Sequence, residues 1–363
     1  MEPIQMIRRE LHQIPELDKC LPKTIAYIKN KLTGFQCGVF HPTPAAVCAY
    51  FDFHKPTTLA YRSDMDALAI QERNTVSYCS KHKGQMHACG HDAHMAILLA
   101  FAAYLNEQSD CKHNVLLIFQ PAEETTGGAK EIVDTGIFSN YHVSALFGIH
   151  VMPKIKKGTI ASKSGYFMAK SAQITLEIKG KSAHVAHFYE GKDALACAMC
   201  FIQRIYDIAD NYKKEAHLLK FGLCNSGHVC NVISDYTLLQ GTLRVFSDNS
   251  FHYFCEQMDI LCKQLEKESG CRLQLSLSQG YPALYNNPEL FKKCHTLLPN
   301  MSVLTKPNLL TEDFAYYGRV VQSVFFYLGI GDVSSLHSDT FDFDDSCLIK
   351  GLGTYIQLLD ISI

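Results

Sequence analysis

The sequence lacks a surplus of charge: 34 Lys and Arg stand against 36 Asp and Glu, for a formal net charge of -2. So even a balance provides no overall basic field for nucleic acid or an anionic membrane, and neither is expected as a partner. Apolar runs near the roughly 18 residues of a membrane span are missing too. The opening MEPIQMIRRELHQIPEL carries charge through its first turns, without the apolar core of an export signal or the pattern of a transit peptide. Repeats, coiled-coil heptads and low-complexity linkers are absent, which excludes solenoid and disordered classes. What is present is a chain of 363 residues, 47 % hydrophobic, with fifteen cysteines scattered without a regular frame. That length suits two unequal domains at roughly 150 residues per domain, and the unframed cysteines suit reduced thiols in a cytoplasmic enzyme rather than disulfides.

The densest chemistry lies in Gln85-Met-His-Ala-Cys-Gly-His-Asp-Ala-His94. Cys89 and His91 flank Gly90, so a tight backbone passage can turn both donors toward one point. Asp92 is then placed to cap a helix from Ala93 to about Asn106, with Ile97, Leu98, Phe101 and Leu105 as its apolar face.

Several apolar runs elsewhere end in polar candidates. Helical spacing covers residues 3–12 and 23–32, with Pro15 and Pro22 around the loop between them. The run Thr57–Tyr61 reads as a strand leading to Asp64 and Asp66. Val115–Phe119 reads as a second, followed by Gln120-Pro-Ala-Glu-Glu124, and Ala145–Ile149 as a third, followed by His150. Near the carboxyl end, Ser323–Leu328 leads through Gly329 and Gly331 to His337, before a final helix over about Ser346–Leu359. Polar groups released at the same end of successive buried strands mark where open α/β sheets hold ligands. Between residues 165 and 279 the pattern changes to strand, helix, strand, strand, helix, strand: Ala172–Lys179, Lys192–Ala209, Phe221–Ser226, Tyr236–Phe246, Asn249–Ser269 and Cys271–Ser278. The expectation is an α/β catalytic domain of residues 1–164 and 280–363, with a central mostly parallel sheet flanked by helices, and an inserted ferredoxin-like βαββαβ domain.

Collected from the strand ends, Cys89, His91, Glu124, His150 and His337 are metal-ligand candidates, with Asp64 and Asp66 in reserve and the choice between those two open. Five donors exceed one tetrahedral ion and suit two divalent ions roughly 3.5–4 Å apart. Thiolate, imidazole and carboxylate together suit zinc or other first-row ions such as manganese, cobalt or nickel. Glu123 and Glu124 diverge in direction, so one can bind metal while the other accepts a proton from water attacking a carbonyl and returns it to the leaving nitrogen. A Glu-Glu pair is commonly only a solvated surface, but here it follows a buried strand. His12, His87, His94, His113 and His142 lack matching partners and read as surface or hydrogen-bonding residues, His94 the least securely, and the Cys197-x-x-Cys200 pair in a helical pattern reads as core packing.

At these residues the chain resembles the two-metal aminoacylase and carboxypeptidase-like amidohydrolases (peptidase M20). More narrowly it is similar to the branch holding hippurate hydrolase, auxin-conjugate hydrolases and N-acetyldiaminopimelate deacetylase. The segments that carry the likeness are RRELHQIPEL, YRSDMDAL, HKGQMHACGHDAHMA, LLIFQPAEE, GIHVMP, TEDFAYYG and LHSDTFDFD, spread over nearly the whole chain. The resemblance implies that Cys89, His91, Glu124, His150 and His337 bind two metal ions, that Glu123 is the proton acceptor, and that Asp66 orients a ligand imidazole. It further implies a lid and dimer-forming insert, in which His184 reaches the scissile carbonyl, often from the partner subunit, and Asn231 and Arg244 contact substrate. For Arg244 alone a surface role is an equal reading. The chain departs from its relatives after GKSAH, where His187-Phe-Tyr-Glu190 replaces an aromatic, a proline and a second histidine, and at Thr311, where relatives often have glycine. The opening residues and compact length look most like the deacetylase group of Gram-positive bacteria. That likeness implies hydrolysis of N-acetyl-LL-2,6-diaminopimelate in lysine biosynthesis by a homodimer acting on a small N-acyl amino acid. A broader N-acyl-amino-acid amidohydrolase, and a metal-binding protein on an inactive hydrolase fold, are the alternatives.

Overall fold

The computed structural model describes residues 3–278 and 280–363; Met1, Glu2 and Gln279, the last of which closes the expected 165–279 insert, lie outside the described residues. The chain divides into two compact units: Met1–Phe167 with Leu284–Pro307 and Asp313–Ile363, and Met168–Ala283 with Asn308–Glu312.

In the first unit, the strands Asn114–Gln120, Thr58–Asp64, Val143–Pro153 and Ser323–Gly331 lie side by side and parallel. Val47–Phe51 and Gly38–Phe40 extend one edge antiparallel, while Ile160–Ser162 and Ser302–Val303 extend the other. Every residue of Thr58–Asp64 and Asn114–Gln120 is buried. Helices cover both faces of such a strand, so its sequence reads as an unbroken apolar run.

Two strands run further than their apolar cores suggest. Thr58–Asp64 carries Arg62, Ser63 and Asp64 within it, and Val143–Pro153 contains His150 rather than releasing it after Ile149. Polar side chains survive there because each has a partner, which offsets the cost of removing it from water. Arg62 donates to Gln120 Oε1 at 2.9 Å, Asp64 Oδ2 at 2.8 Å and Asp313 Oδ1 at 2.9 Å.

The helix after Gly90 is His91–Asn106, not a helix begun at Ala93. Its burial reaches nearly all round, from Asp92 and Ala93 to Ala102, beyond the single apolar face expected. Asp92 does not cap it: its Oδ2 accepts from Arg8 Nε at 3.2 Å and faces His12 Nδ1 at 2.8 Å. The helix Ile4–His12 thus lays Arg8 and His12 against the start of the buried one. The last helix is a single-turn 3-10 segment Asp345–Cys347 followed by Leu348–Leu358.

Burial opposes charge on His12, but hydrogen bonds to Asp92 and Glu72 push it up to about 9. A folded-state value above the ordinary 6.5 stabilises the fold fully below that pH, and the contribution is lost as pH rises through 9. We expect His12→Gln to remove a contribution on the order of 3 kcal/mol at pH 6, with the difference from wild type shrinking above pH 9. Urea unfolding of both proteins across that range measures it; a difference independent of pH would show that His12 is neutral in the fold.

The second unit has the order strand Lys170–Lys179, helix Ala194–Asn211, strands Leu218–Ser226 and Tyr236–Val245, helix Asp248–Ser269, strand Arg272–Leu277. Its sheet is antiparallel, with Lys170–Lys179 and Tyr236–Val245 central and the other two at the edges. Ile174, Leu176, Ile178, Leu239 and Leu243 meet Phe201, Ile205, Phe254 and Met258 in one core. Both helices start on sequence-encoded caps, Asp193 accepting from Ala196 N at 3.0 Å and Ser247 from Ser250 N at 3.2 Å. Among the described residues no helix is long and apolar enough to cross a membrane.

Candidate metal centre

The centre forms at the carboxyl ends of the parallel strands, starting with Gly90. Its φ is +88°, and a Cβ there would stand 2.3 Å from Val151 Cγ2, so only glycine can make this turn beside the Val143–Pro153 strand. The turn places Cys89 and His91 on either side of it, His91 in the first turn of the helix. His91 Nδ1 donates to the Asp66 main-chain carbonyl at 2.7 Å, which leaves Nε2 to face the cluster.

Asp66 does a second job with its side chain. Its Oδ1 and Oδ2 accept the main-chain N–H groups of Glu123 and Glu124, each at 3.0 Å. The nearest Asp66 carboxylate oxygen is 3.6 Å from His91 Nδ1, so its carbonyl, more than its carboxylate, orients this imidazole. The loop after Asn114–Gln120 bends through Ala122 at φ +59°, and this turn presents Glu123 and Glu124 together. His337 is also held in the left-handed region, at φ +65°, with its N–H bonded to the Ala88 carbonyl at 2.8 Å. Strained backbone persists where surrounding bonds fix it, and here it delivers a side chain to a site.

The five expected ligands do converge. Cys89 Sγ lies 3.4 Å from His150 Nε2, Glu124 Oε1 lies 3.2 Å from His337 Nε2, and His91 Nε2 lies 3.8 Å from Glu124 Oε1. Cys89, His91 and His150 offer donor atoms within 4.8 Å of one another, and so do Cys89, Glu124 and His337. Cys89 belongs to both groups. His91, Glu123 and Glu124 form a further group of this kind.

The donor set fits divalent cations. His91 Nε2 is buried without a hydrogen-bond partner among the described residues, a costly arrangement that a cation would relieve. Burial, with Glu124 and Glu123 beside it, pushes the Cys89 thiol well up, so a nearby positive charge is needed to make it a thiolate. Against the pull of burial, Asp64 and Asp66 raise His91 to about 10. Burial opposes ionisation of Glu124, yet His337 and His91 hold it below the usual carboxylate range. Burial lowers His150 to about 3, the neutral form a ligand imidazole needs.

Asp64 and His94 form another donor group with His91, Asp64 Oδ2 lying 3.7 Å from His91 Nε2, but both are also engaged by the protein itself. Asp64 Oδ1 pairs with His94 Nδ1 at 2.6 Å, and His94 Nε2 accepts from Val151 N at 2.9 Å. Both ring nitrogens of His94 are therefore used by the protein. His113 likewise bonds Thr57 Oγ1 and the Ile361 carbonyl, and His142 is exposed. His87 departs from expectation: it is neither at the surface nor hydrogen-bonded, both ring nitrogens being buried without such a partner among the described residues. It lies between Met86 and Ala88, both 0 % exposed.

In the second unit, His184 and Asn231 lie on neighbouring segments, joined by Val185 N–H to the Asn231 carbonyl at 3.1 Å. His184 Nδ1 accepts from Ala186 N at 3.2 Å, and Arg244 Nη1 donates to the Leu309 carbonyl at 2.8 Å. Sequence reasoning gave no role to Gln120, Asp313 or Tyr317, which tie Arg62 and Asp64 into one buried network: Gln120 Nε2 donates to Asp313, and Tyr317 OH to Gln120 Oε1. The polar residues inside otherwise apolar strands were the signal for them.

Thiol, imidazoles and carboxylates gathered at the strand ends of an α/β unit, around buried donors that need a cation, define a metal-dependent hydrolase. The model of Peptidase family M20/M25/M40 matches residues 60–360, and the chain belongs to that family. It is a metallo-amidohydrolase. It is 31 % identical to an N-acetyldiaminopimelate deacetylase of Lacticaseibacillus paracasei, over 98 % of this chain and 96 % of the relative. It is 32 % identical to an uncharacterized hydrolase of Staphylococcus epidermidis, over 99 % and 98 %. Among solved structures, a Bacillus subtilis dinuclear metal binding peptidase from the M20 family superposes with a TM-score of 0.87 at 27 % identity, covering 98 % of this chain and 96 % of that one. A protein from methicillin-resistant Staphylococcus aureus gives 0.91 at 31 % identity, covering 98 % and 95 %.

Proposed function

We propose that the protein hydrolyses N-acetyl-LL-2,6-diaminopimelate to acetate and LL-2,6-diaminopimelate, a step of lysine biosynthesis. The observation that carries the hydrolytic reading is the pair of three-donor groups sharing Cys89, with Glu123 against His91 and Glu124. Cys89, His91, Glu124, His150 and His337 would hold two cations. When bound, the cations supply Lewis acidity toward a carbonyl oxygen and lower the pKa of a water molecule. Glu123 accepts the proton of that water as its oxygen adds to the acyl carbon, then gives it to the nitrogen as the C–N bond breaks. Asp66 keeps Glu123 and Glu124 in place through their main-chain N–H groups. Arg244 retains donors beyond the one spent on Leu309 and suits a substrate carboxylate, with His184 and Asn231 as further substrate contacts.

The choice of substrate rests on likeness to named deacetylases. A second reading, a broader N-acyl-amino-acid hydrolase, is favoured by Phe188 and Tyr189, 66 % and 70 % exposed, in the segment that departs from the relatives. Side-by-side turnover of acetyl-diaminopimelate and hippurate, with metal analysis of the purified protein, separates the two. We expect two metal equivalents and faster turnover of the acetyl substrate; faster turnover of hippurate would replace the first reading with the second.

The second unit is proposed as lid and dimer-forming element. Its edge strand Leu218–Ser226 pairs with one neighbour only among the described residues, and Leu223, Val229, Val232 and Tyr236 are exposed apolar residues of that unit. Light scattering should give twice the chain mass; a monomer at micromolar concentration would remove the dimer.

A further inference from the structure

Three thiols of the second unit come from separate points of its chain. Cys197 and Cys200 lie one turn apart on the helix Ala194–Asn211, and Cys271 stands between Gly270, which ends the helix Asp248–Ser269, and the strand Arg272–Leu277. The pair on the helix is not uniformly core: Cys197 is 3 % exposed, whereas Cys200 is open to solvent. Cys271, 4 % exposed, belongs to the same buried core cluster as Cys197. Ser269 bridges the same place, its Oγ lying 3.5 Å from Cys197 Sγ and accepting from Cys271 N at 3.1 Å. Near Cys200, on the same helix, Arg204 makes a two-pronged ion pair with Glu268 at 2.9 and 2.7 Å.

From this arrangement we infer that Cys200, Cys197 and Cys271 form a thiol relay whose product is a reversible disulfide between Cys197 and Cys271, with hydrogen peroxide as the oxidant. The exposed thiol is the entry. Cys200, as thiolate, attacks the outer peroxide oxygen; the O–O bond breaks, leaving Cys200 as sulfenic acid and releasing hydroxide, or water after it takes a proton. Cys197 then displaces water from that sulfur, giving a Cys197–Cys200 disulfide. Residues three apart on a helix hold their Cβ atoms about 5–6 Å apart, wider than the roughly 3.5–4.5 Å that a relaxed disulfide takes. Cys271 therefore attacks Cys197, and Cys200 leaves as thiol. In sum, one peroxide and two thiols give one disulfide and two waters.

Burial pushes Cys197 up to about 11, which keeps the inner pair reduced and slow to react until the outer thiol has been oxidised. Once formed, the link joins the first half of one helix to the start of a strand far along the chain, and so restrains the unfolded state.

The test uses the full-length, metal-loaded protein treated with hydrogen peroxide, quenched by alkylation and mapped as non-reduced peptides by mass spectrometry. The expected result is a Cys197–Cys271 cross-link that dithiothreitol reverses, forming about tenfold or more slowly in Cys200→Ser, with a higher melting temperature in the oxidised protein. Alkylated Cys197 and Cys271 after peroxide treatment, or Cys197 joined instead to Cys262, would overturn the disulfide. A cross-link forming as fast in Cys200→Ser as in wild type would overturn the relay.

Discussion

Glu123→Gln is expected to lower kcat by roughly 10²–10⁴-fold, the usual worth of a positioned general acid–base, while the protein keeps both metal equivalents and its fold. The substitution is nearly isosteric, and the bond from the Glu123 main-chain N–H to Asp66 Oδ1 at 3.0 Å does not involve the side chain. What is removed is the carboxylate's capacity to take a proton and give it back. The contrast is Glu124→Gln: Glu124 lies within 4.8 Å of Cys89 and His337 in one candidate donor group, so that variant should lose metal along with activity. Steady-state kinetics and metal analysis on both proteins read this out. Full activity in the metal-replete Glu123 variant would assign the proton transfer to another residue, and metal binding without turnover in the wild type would leave a binding protein on a hydrolase fold.

The largest effect on stability is expected from Arg62→Met, at about 3–5 kcal/mol, the range for breaking a buried ion pair from one side. Arg62 is 2 % exposed and sits in the middle of the parallel sheet, with Asp64 and Asp313 as its two anionic partners and Gln120 as its neutral one. Methionine fills much of the stem's volume but leaves both carboxylates without their guanidinium. The harm should reach the metal centre, because Asp64 also holds His94, whose other nitrogen accepts the Val151 N–H beside His150. Urea unfolding, together with metal affinity, measures both consequences. A loss below about 1 kcal/mol, the scale of an exposed pair, would mean that the remaining bonds of Asp313, to Gln120 and to Ala129 N, suffice.

Much of this architecture is legible along the chain because its causes are local. Buried parallel strands must be apolar on both faces, so Val115–Phe119 and Ala145–Ile149 stand out whatever surrounds them. The inserted unit shows itself by alternation in strands such as Lys170–Lys179, whose burial switches between in and out along its length. The candidate donors stood out because each follows or ends an apolar strand run, or sits beside a glycine that only a tight turn would need.

The sequence by itself determined the order of the main strands and helices, the layered α/β class, and which donors to expect at the strand ends, since periodicity, caps and strand-end residues act over a few positions. Only the tertiary structure decided how Asp92 and Asp64 are spent, on Arg8 and His12 and on Arg62 and His94, and that the main-chain carbonyl of Asp66 holds His91. It alone brought Cys271 to Cys197. Those choices depend on which distant group arrives within about 3 Å of a charge or a thiol, and a buried charge takes the partner that packing delivers, not one that its neighbours in sequence can name.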